Sequence, residues 1–195
     1  REVIGHHVYA EAWAERIKQT IYQQGAMKRP VHIVSANLHS FVNALYGGAV
    51  LSREEFSTIP DLGKTTSQEP AWNQEILDYA RENGLTEIPD HSGTNVHAQL
   101  FDLAKIPLAS IPGIGQEAKS ATGLLLVMDY AFGEQAFECM DELLKPYEQE
   151  DQQWNLPVKS ISIMGKAGTL CGKKGDIMLP NAHIFEGTAD NSPLE

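Results

Sequence analysis

The stretch Gly123-Leu124-Leu125-Leu126-Val127-Met128-Asp129 constrains the fold more than any other part of the chain. An apolar run of that length, without alternation, predicts a strand buried on both faces, which needs a layer above and a layer below its sheet. Residues 129–133 then turn. Phe132, Ala136, Phe137, Met140, Leu143, Leu144 and Tyr147 recur at helical spacing and predict a helix broken after Lys145 by Pro146, with Phe132, Phe137 and Tyr147 in the core. A polar, acidic loop runs to Pro157. Residues 158–164 read as a second strand, with Ile161 and Ile163 alternating against Ser160 and Ser162. Strand, helix, strand in this order is a right-handed crossover unit and implies a parallel arrangement. The expected fold class is therefore α/β: a three-layer, open, largely parallel sheet with helices on both faces.

The remaining elements follow from the same periodicities. Residues 8–24 carry Ala10, Trp13, Ala14, Ile17 and Ile21 on one helical stripe, with Gly25 as a stop. Residues 31–36 form a β-branched strand. Asn37 to Tyr46 is expected to be a helix ended by Gly47-Gly48. Residues 52–69 read as a long exposed loop. Trp72, Ile76, Leu77 and Ala80 mark a helix that stops at Gly84. Ser92 or Thr94 is read as the cap of another helix, running through Val96, Leu100 and Leu103. Gly113-Ile114-Gly115 is read as a turn rather than a phosphate cradle, since no strand precedes it. Asp176-Ile177-Met178-Leu179-Pro180 is expected to begin a last strand that continues through residues 182–185.

Composition narrows the function classes. A net charge of −11 argues against a broad nucleic-acid surface, which needs clustered Lys and Arg. No stretch approaches the ~20 apolar residues of a membrane span, and no basic-then-apolar leader is visible. A cytoplasmic location is the expectation. Cys139 and Cys171 lack knuckle or framework spacing and are expected to be buried free thiols. His6-His7 has no third ligand at useful spacing, so no metal is expected. The start at Arg1 and the stop soon after a patterned strand lead to the expectation of a fragment of a longer polypeptide. The whole of 1–195 is expected to be one α/β domain.

In open parallel sheets, ligands bind at the carboxyl ends of the strands. Four such ends can be named: 35–39, 129–133, 165–169 and 186–191. Small residues there let a ligand approach the backbone, and amides at a following helix start can hold an anion. The candidate ligand-binding residues are Ser35, Asn37, His39, Asp129, Gly133, Gly165, Lys166, Gly168 and Thr188, and the candidate catalytic residues are Glu186 and His183.

The segments Gly165-Lys166-Ala167-Gly168-Thr169-Leu170, Lys173-Lys174-Gly175-Asp176-Ile177-Met178-Leu179-Pro180 and Glu186-Gly187-Thr188 carry a family resemblance. In their order and spacing they resemble the nucleoside phosphorylase and nucleosidase superfamily, in which a Gly-rich turn ends one strand and a Gly-Asp-Ile/Val-Val strand follows. Asp129-Tyr130-Ala131-Phe132-Gly133-Glu134-Gln135-Ala136 is similar to that family's Gly-x-Gly-x-x-x-Ala turn. Ser35-Ala36-Asn37-Leu38-His39 stands in the place of its first phosphate-side loop. The resemblance covers residues 122–190 well and 30–46 poorly. It implies a nucleoside-phosphorylase-like fold, a nucleoside or nucleotide partner with phosphate as a candidate second ligand, no cofactor, and a homo-oligomer. Glu186 would accept ribose hydroxyls.

Two departures redirect the chemistry. Ile163 stands where family phosphorylases carry a phosphate-holding Arg, and Lys166 stands where they carry Thr or Ser. Lys166 can act as a point charge. The pair tilts the expectation from phosphorolysis towards hydrolysis of an N-glycosidic bond, or towards a substrate that brings its own phosphate, as in an AMP-nucleosidase-like activity. The alternative is a non-catalytic nucleotide-binding or assembly module with the same fold. A dinucleotide-binding dehydrogenase fits worse, because no Gly-x-Gly-x-x-Gly follows a strand with an acidic residue some 20 positions on.

Overall fold

The apolar run lies in the middle of a five-stranded sheet. The computed structural model describes residues 4–51, 70–111, 121–165, 172–173, 176–180, 182–184 and 191–193. In chain order the elements are α1 (Ile4–Gln23), β1 (Val31–Ser35), α2 (Leu38–Val50), α3 (Pro70–Glu82), β2 (Leu85–Ile88), β3 (Ala98–Asp102), β4 (Leu124–Met128), α4 (Gly133–Leu144), β5 (Tyr147–Gln149), β6 (Gln152–Trp154), β7 (Val158–Ile163), β8 (Ala182–Ile184) and β9 (Asn191–Pro193). Two compact units make up the chain, 1–164 and 165–195.

In the first unit the strand order is β2-β3-β4-β1-β7. β1 pairs in parallel with both β4 and β7, while β3 runs antiparallel to both β2 and β4. Four strands thus share one direction and β3 opposes them, so the sheet is mixed. Burial assigns the layers. Leu124, Leu126 and Met128 face a core with Ala10, Trp13, Ala14, Ile17 and Ile21 of α1 and Cys139 and Leu143 of α4. Val127 faces the other core, with Val42 and Tyr46 of α2 and Ile76 and Ala80 of α3. Successive strand residues point to opposite faces, so both faces of a central strand must be apolar. Full burial of a side chain as large as Ile17 or Leu126 stabilises the fold by about 1.5–3 kcal/mol.

Several sequence expectations need correction. The segment read as a helix from Thr94 to Leu103 is strand β3, buried on both faces between β2 and β4. β2 itself is too short to show a pattern. Gly47-Gly48 does not end α2. Gly47 is buried within the helix, which runs to Val50 and closes where the Leu51 N–H bonds to the Gly47 carbonyl. The supposed loop after Pro146 is the hairpin β5–β6, turned through Glu150 and Asp151 at φ 52° and 62°. Phe132 and Phe137 are not core: they are 76% and 72% exposed, Phe132 because it lies before α4 as its extended N-cap, Phe137 because α4 turns Cys139, Glu142 and Leu143 inward instead. Ile161 and Ile163 are likewise exposed on β7, an edge strand. Gly84 does stop α3. It adopts φ +101°, and a Cβ there would meet Lys105 Cβ at 2.9 Å.

In the second unit, β8 and β9 form an antiparallel pair. Residues 176–180 carry no strand, contrary to expectation. There the Lys173 N–H donates to Asp176 Oδ2 at 2.7 Å. The loop expected at 52–69 and the turn at 113–115 lie outside the described residues. Among the described residues, no helix is long and apolar enough to cross a membrane.

Candidate functional site

Register fixes the site. Ile88 pairs with Ala98, Ala98 with Met128, Met128 with Ser35, and Ser35 with Ile163. These five residues form one row across the sheet. It lies at the carboxyl ends of the four co-directional strands and at the amino end of β3. The segments of the first unit that leave this row therefore meet along one edge: 36–37 from β1, 89–97 from β2, 129–132 from β4, and Met164 from β7. The edge is stitched by backbone bonds from Ala36 N–H to the Met128 carbonyl (3.0 Å), Met164 N–H to the Ser35 carbonyl (2.9 Å) and Asp129 N–H to the His97 carbonyl (2.9 Å).

Of the residues singled out from sequence, Ser35 and Asp129 end adjacent strands at this edge and are half-buried. Asn37 and His39 are exposed beside them. Asn37 is the N-cap of α2, its Oδ1 accepting from the Ser40 N–H and hydroxyl, each at 3.0 Å. An extended Asn with that bond is the standard start of a helix. Asp129 does not cap α4. Its Oδ1 accepts from the adjacent Tyr130 N–H at 2.8 Å, and the α4 N-cap is Phe132, which makes no side-chain cap bond. Gly133 opens α4 at φ +56° with nothing within 4 Å of where a Cβ would stand, so the backbone there is accessible to a ligand. Gly165 begins the second unit and is exposed. His183 is described in its backbone, paired with Ser192. Lys166, Gly168, Glu186 and Thr188 lie outside the described residues.

The structure adds a wall that sequence reading missed. Residues 89–97, between β2 and β3, fold around Asp90. Its carboxylate accepts from the N–H groups of Ser92 (2.9 Å), Gly93 (3.2 Å) and Asn95 (2.8 Å) and from the Ser92 hydroxyl (2.6 Å). Burial pushes the Asp90 pKa up, but these hydrogen bonds outweigh it and hold the carboxyl below its usual value. Asn95 sits at φ 57°, a conformation that Asn tolerates better than most residues. His97 Nδ1 accepts from the Asp90 N–H at 3.1 Å, and Gln135 Nε2 donates to the Thr94 carbonyl at 2.6 Å, tying the loop to α4. The sequence signal was Pro89-Asp90-His91-Ser92-Gly93, a run of turn formers. Beneath the loop, a cleft of about 180 Å³ is lined by Trp13, Arg16, Ile88, Asp90, His91 and neighbouring residues.

Cys139 is a buried free thiol. Burial first, then the charges of Glu138 and Asp90, push its pKa up to about 11, which suits packing and not nucleophilic chemistry. Among the described residues, no three His, Cys, Asp or Glu side chains cluster as a metal site.

Comparison with known proteins gives a family match. A family model described as a family of unknown function (DUF6909) matches residues 61–192, more than half of the chain. No curated protein matches the chain, and no solved structure does.

Proposed function

We propose that this chain, which belongs to that family of unknown function, binds a nucleoside or nucleotide at the carboxyl edge of its sheet and hydrolyses the N-glycosidic bond. One observation carries the reading. β4 and β1 are parallel neighbours whose ends share a single row, so two of the segments that resemble nucleoside phosphorylases and nucleosidases, 35–39 and 129–136, leave the sheet from adjacent strands. Ser35 and Asp129 would hold the sugar, and the open backbone at Gly133 would let it approach. The resemblance assigns Lys166 to a phosphate carried by the substrate.

The reaction breaks the bond from the anomeric carbon to the base nitrogen and forms a bond from that carbon to a water oxygen. One water proton is lost to a base, and the departing nitrogen takes up a proton. The sugar passes through an oxocarbenium-like state, which a nearby carboxylate stabilises. Glu186 is assigned to the ribose hydroxyls and to that charge, and His183 to proton transfer near neutral pH.

A second reading is a non-catalytic nucleotide-binding module. Its support is that Asp90 and Asn37, polar side chains at the edge, are engaged in holding backbone amides. One experiment separates the two. The protein is incubated with adenosine, inosine, uridine and AMP, with and without orthophosphate, and free base is followed by chromatography while binding is followed by calorimetry. Base release without added phosphate is expected. Release only with orthophosphate overturns hydrolysis. Binding without release favours the module, and neither binding nor release refutes both readings.

A further inference from the structure

The loop from β4 to α4 carries two aromatic rings that neither core uses. Phe132 is 76% exposed and Tyr130 is 38% exposed, and their ring centroids lie 6.2 Å apart with planes inclined at 31°. Residues 129–132 are not helical, and Phe132 is extended at φ −131°, ψ 147°. Their ring separation shows that Tyr130 and Phe132 present themselves together. Asp129 immediately precedes them at the end of β4, and the open Gly133 follows. The rings therefore stand on the carboxyl edge itself. Leaving a Phe ring in water forgoes the free energy its burial would supply, and a pair of rings kept out of the core marks a binding surface more than a packing accident.

We infer that Phe132, backed by Tyr130, is the platform on which the base of the bound nucleoside or nucleotide stacks. This rests on the reading above and deepens it, because it assigns the base end of the ligand to a part of the edge where no polar group was needed. A phenyl face makes no hydrogen bond. It holds any base by dispersion and quadrupole contact and prefers the larger area of a purine. Asp129 lies at the sugar end of the same short segment, so sugar and base would be read by neighbouring residues. The platform gives affinity for base-bearing ligands and none for a bare sugar phosphate.

The test uses the full 195-residue chain and titrates adenosine, uridine and ribose 5-phosphate into the native protein, Phe132→Ala and Phe132→Trp. Phe132→Ala should weaken adenosine between about 5-fold and 150-fold, the range that base–aromatic stacking gives. Phe132→Trp should restore it, adenosine should bind more tightly than uridine, and ribose 5-phosphate should bind all three proteins alike. Because Phe132 is exposed, the melting temperature should not move. Unchanged adenosine affinity in Phe132→Ala would overturn the platform while leaving the proposed function in place. Equal losses for adenosine and ribose 5-phosphate would also overturn it, as a distortion of the edge. If the native protein binds neither adenosine nor uridine but does bind ribose 5-phosphate, the platform falls and a sugar-phosphate site remains. If it binds none of the three, the platform and the proposed function fall together.

Discussion

Lys18 offers a sharp test of how α1 and α4 are joined. It is 2% exposed on the inward face of α1, yet it carries a charge. Its ammonium donates to the Glu142 carbonyl at 3.2 Å and the Lys145 carbonyl at 3.4 Å, two acceptors at the end of α4, and lies 3.2 Å from the Glu15 carboxylate. Terminal helix carbonyls have no intrahelical partner and bear partial negative charge, so a cation placed there satisfies both needs. Lys18→Met keeps the stem and removes the donor. The buried Glu142 carbonyl then lacks its partner, at about 1–3 kcal/mol, while the Lys145 carbonyl can turn to water. Relief of the ammonium's own desolvation offsets part of that loss. A net destabilisation of about 1 kcal/mol is expected, or roughly 2–4 °C in melting temperature for a chain of this size. Glu15→Gln is the control: the Glu15 side chain is 49% exposed, so its loss should cost less than about 0.5 kcal/mol. Guanidinium unfolding followed by the fluorescence of Trp13, Trp72 and Trp154 reads both variants. A Lys18→Met protein as stable as the native one, or a larger loss in Glu15→Gln, would refute the capping role.

Three further outcomes are expected. The Arg29 guanidinium, hydrogen-bonded to Asp102, holds that carboxyl below its usual value. The stability it contributes is therefore complete above the unfolded pKa of about 4 and is lost as pH falls through the lower folded value. Asp102→Asn should flatten the acid limb of a stability–pH curve, and an unchanged limb would count against the pair. Cys139, with its pKa pushed up to about 11, should resist iodoacetamide in the native protein at pH 8 and react only after unfolding, as read by mass spectrometry; fast native labelling would show the burial to be wrong. Lys166→Ala should weaken AMP binding more than adenosine binding, and equal losses would remove its assignment to the phosphate.

Much of the architecture was legible because its signals are local. The unbroken run at 124–128, closed by the turn at 129–133, fits a strand covered on both sides, and the α1 stripe from Ala10 to Ile21 repeats at helical spacing over three turns. β3 was misread because Val96, Leu100 and Leu103 also satisfy a helical period. A short apolar run does not distinguish the two, and what decides is pairing with β2 and β4. The inner face of α4 was misread for a different reason. Glu142 is 5% exposed, which no periodicity suggests for a carboxylate. Its partners are His7 and Lys145, and the backbone beside it is held by Lys18, 124 residues earlier in the chain. With Glu142, Cys139 and Leu143 turned inward, Phe137 has to face outward. The strand-end residues of the candidate site were visible because parallel strands end together; the Asp90 loop was not, because it depends on β3 running backwards.

That reversal has a consequence for how the edge can change. Had β3 run with its neighbours, the chain after Ile88 would have crossed the length of the sheet before entering it, and a helix would have filled the path. Because β3 returns directly, both ends of residues 89–97 are pinned at the same edge by the Ile88–Ala98 pair. Insertions, deletions or substitutions there alter the rim without moving a strand. The β2–β3 loop is thus the part of the edge freest to diverge, and sequence differences among relatives should concentrate in it, while the row from Ile88 to Ile163 stays as it is.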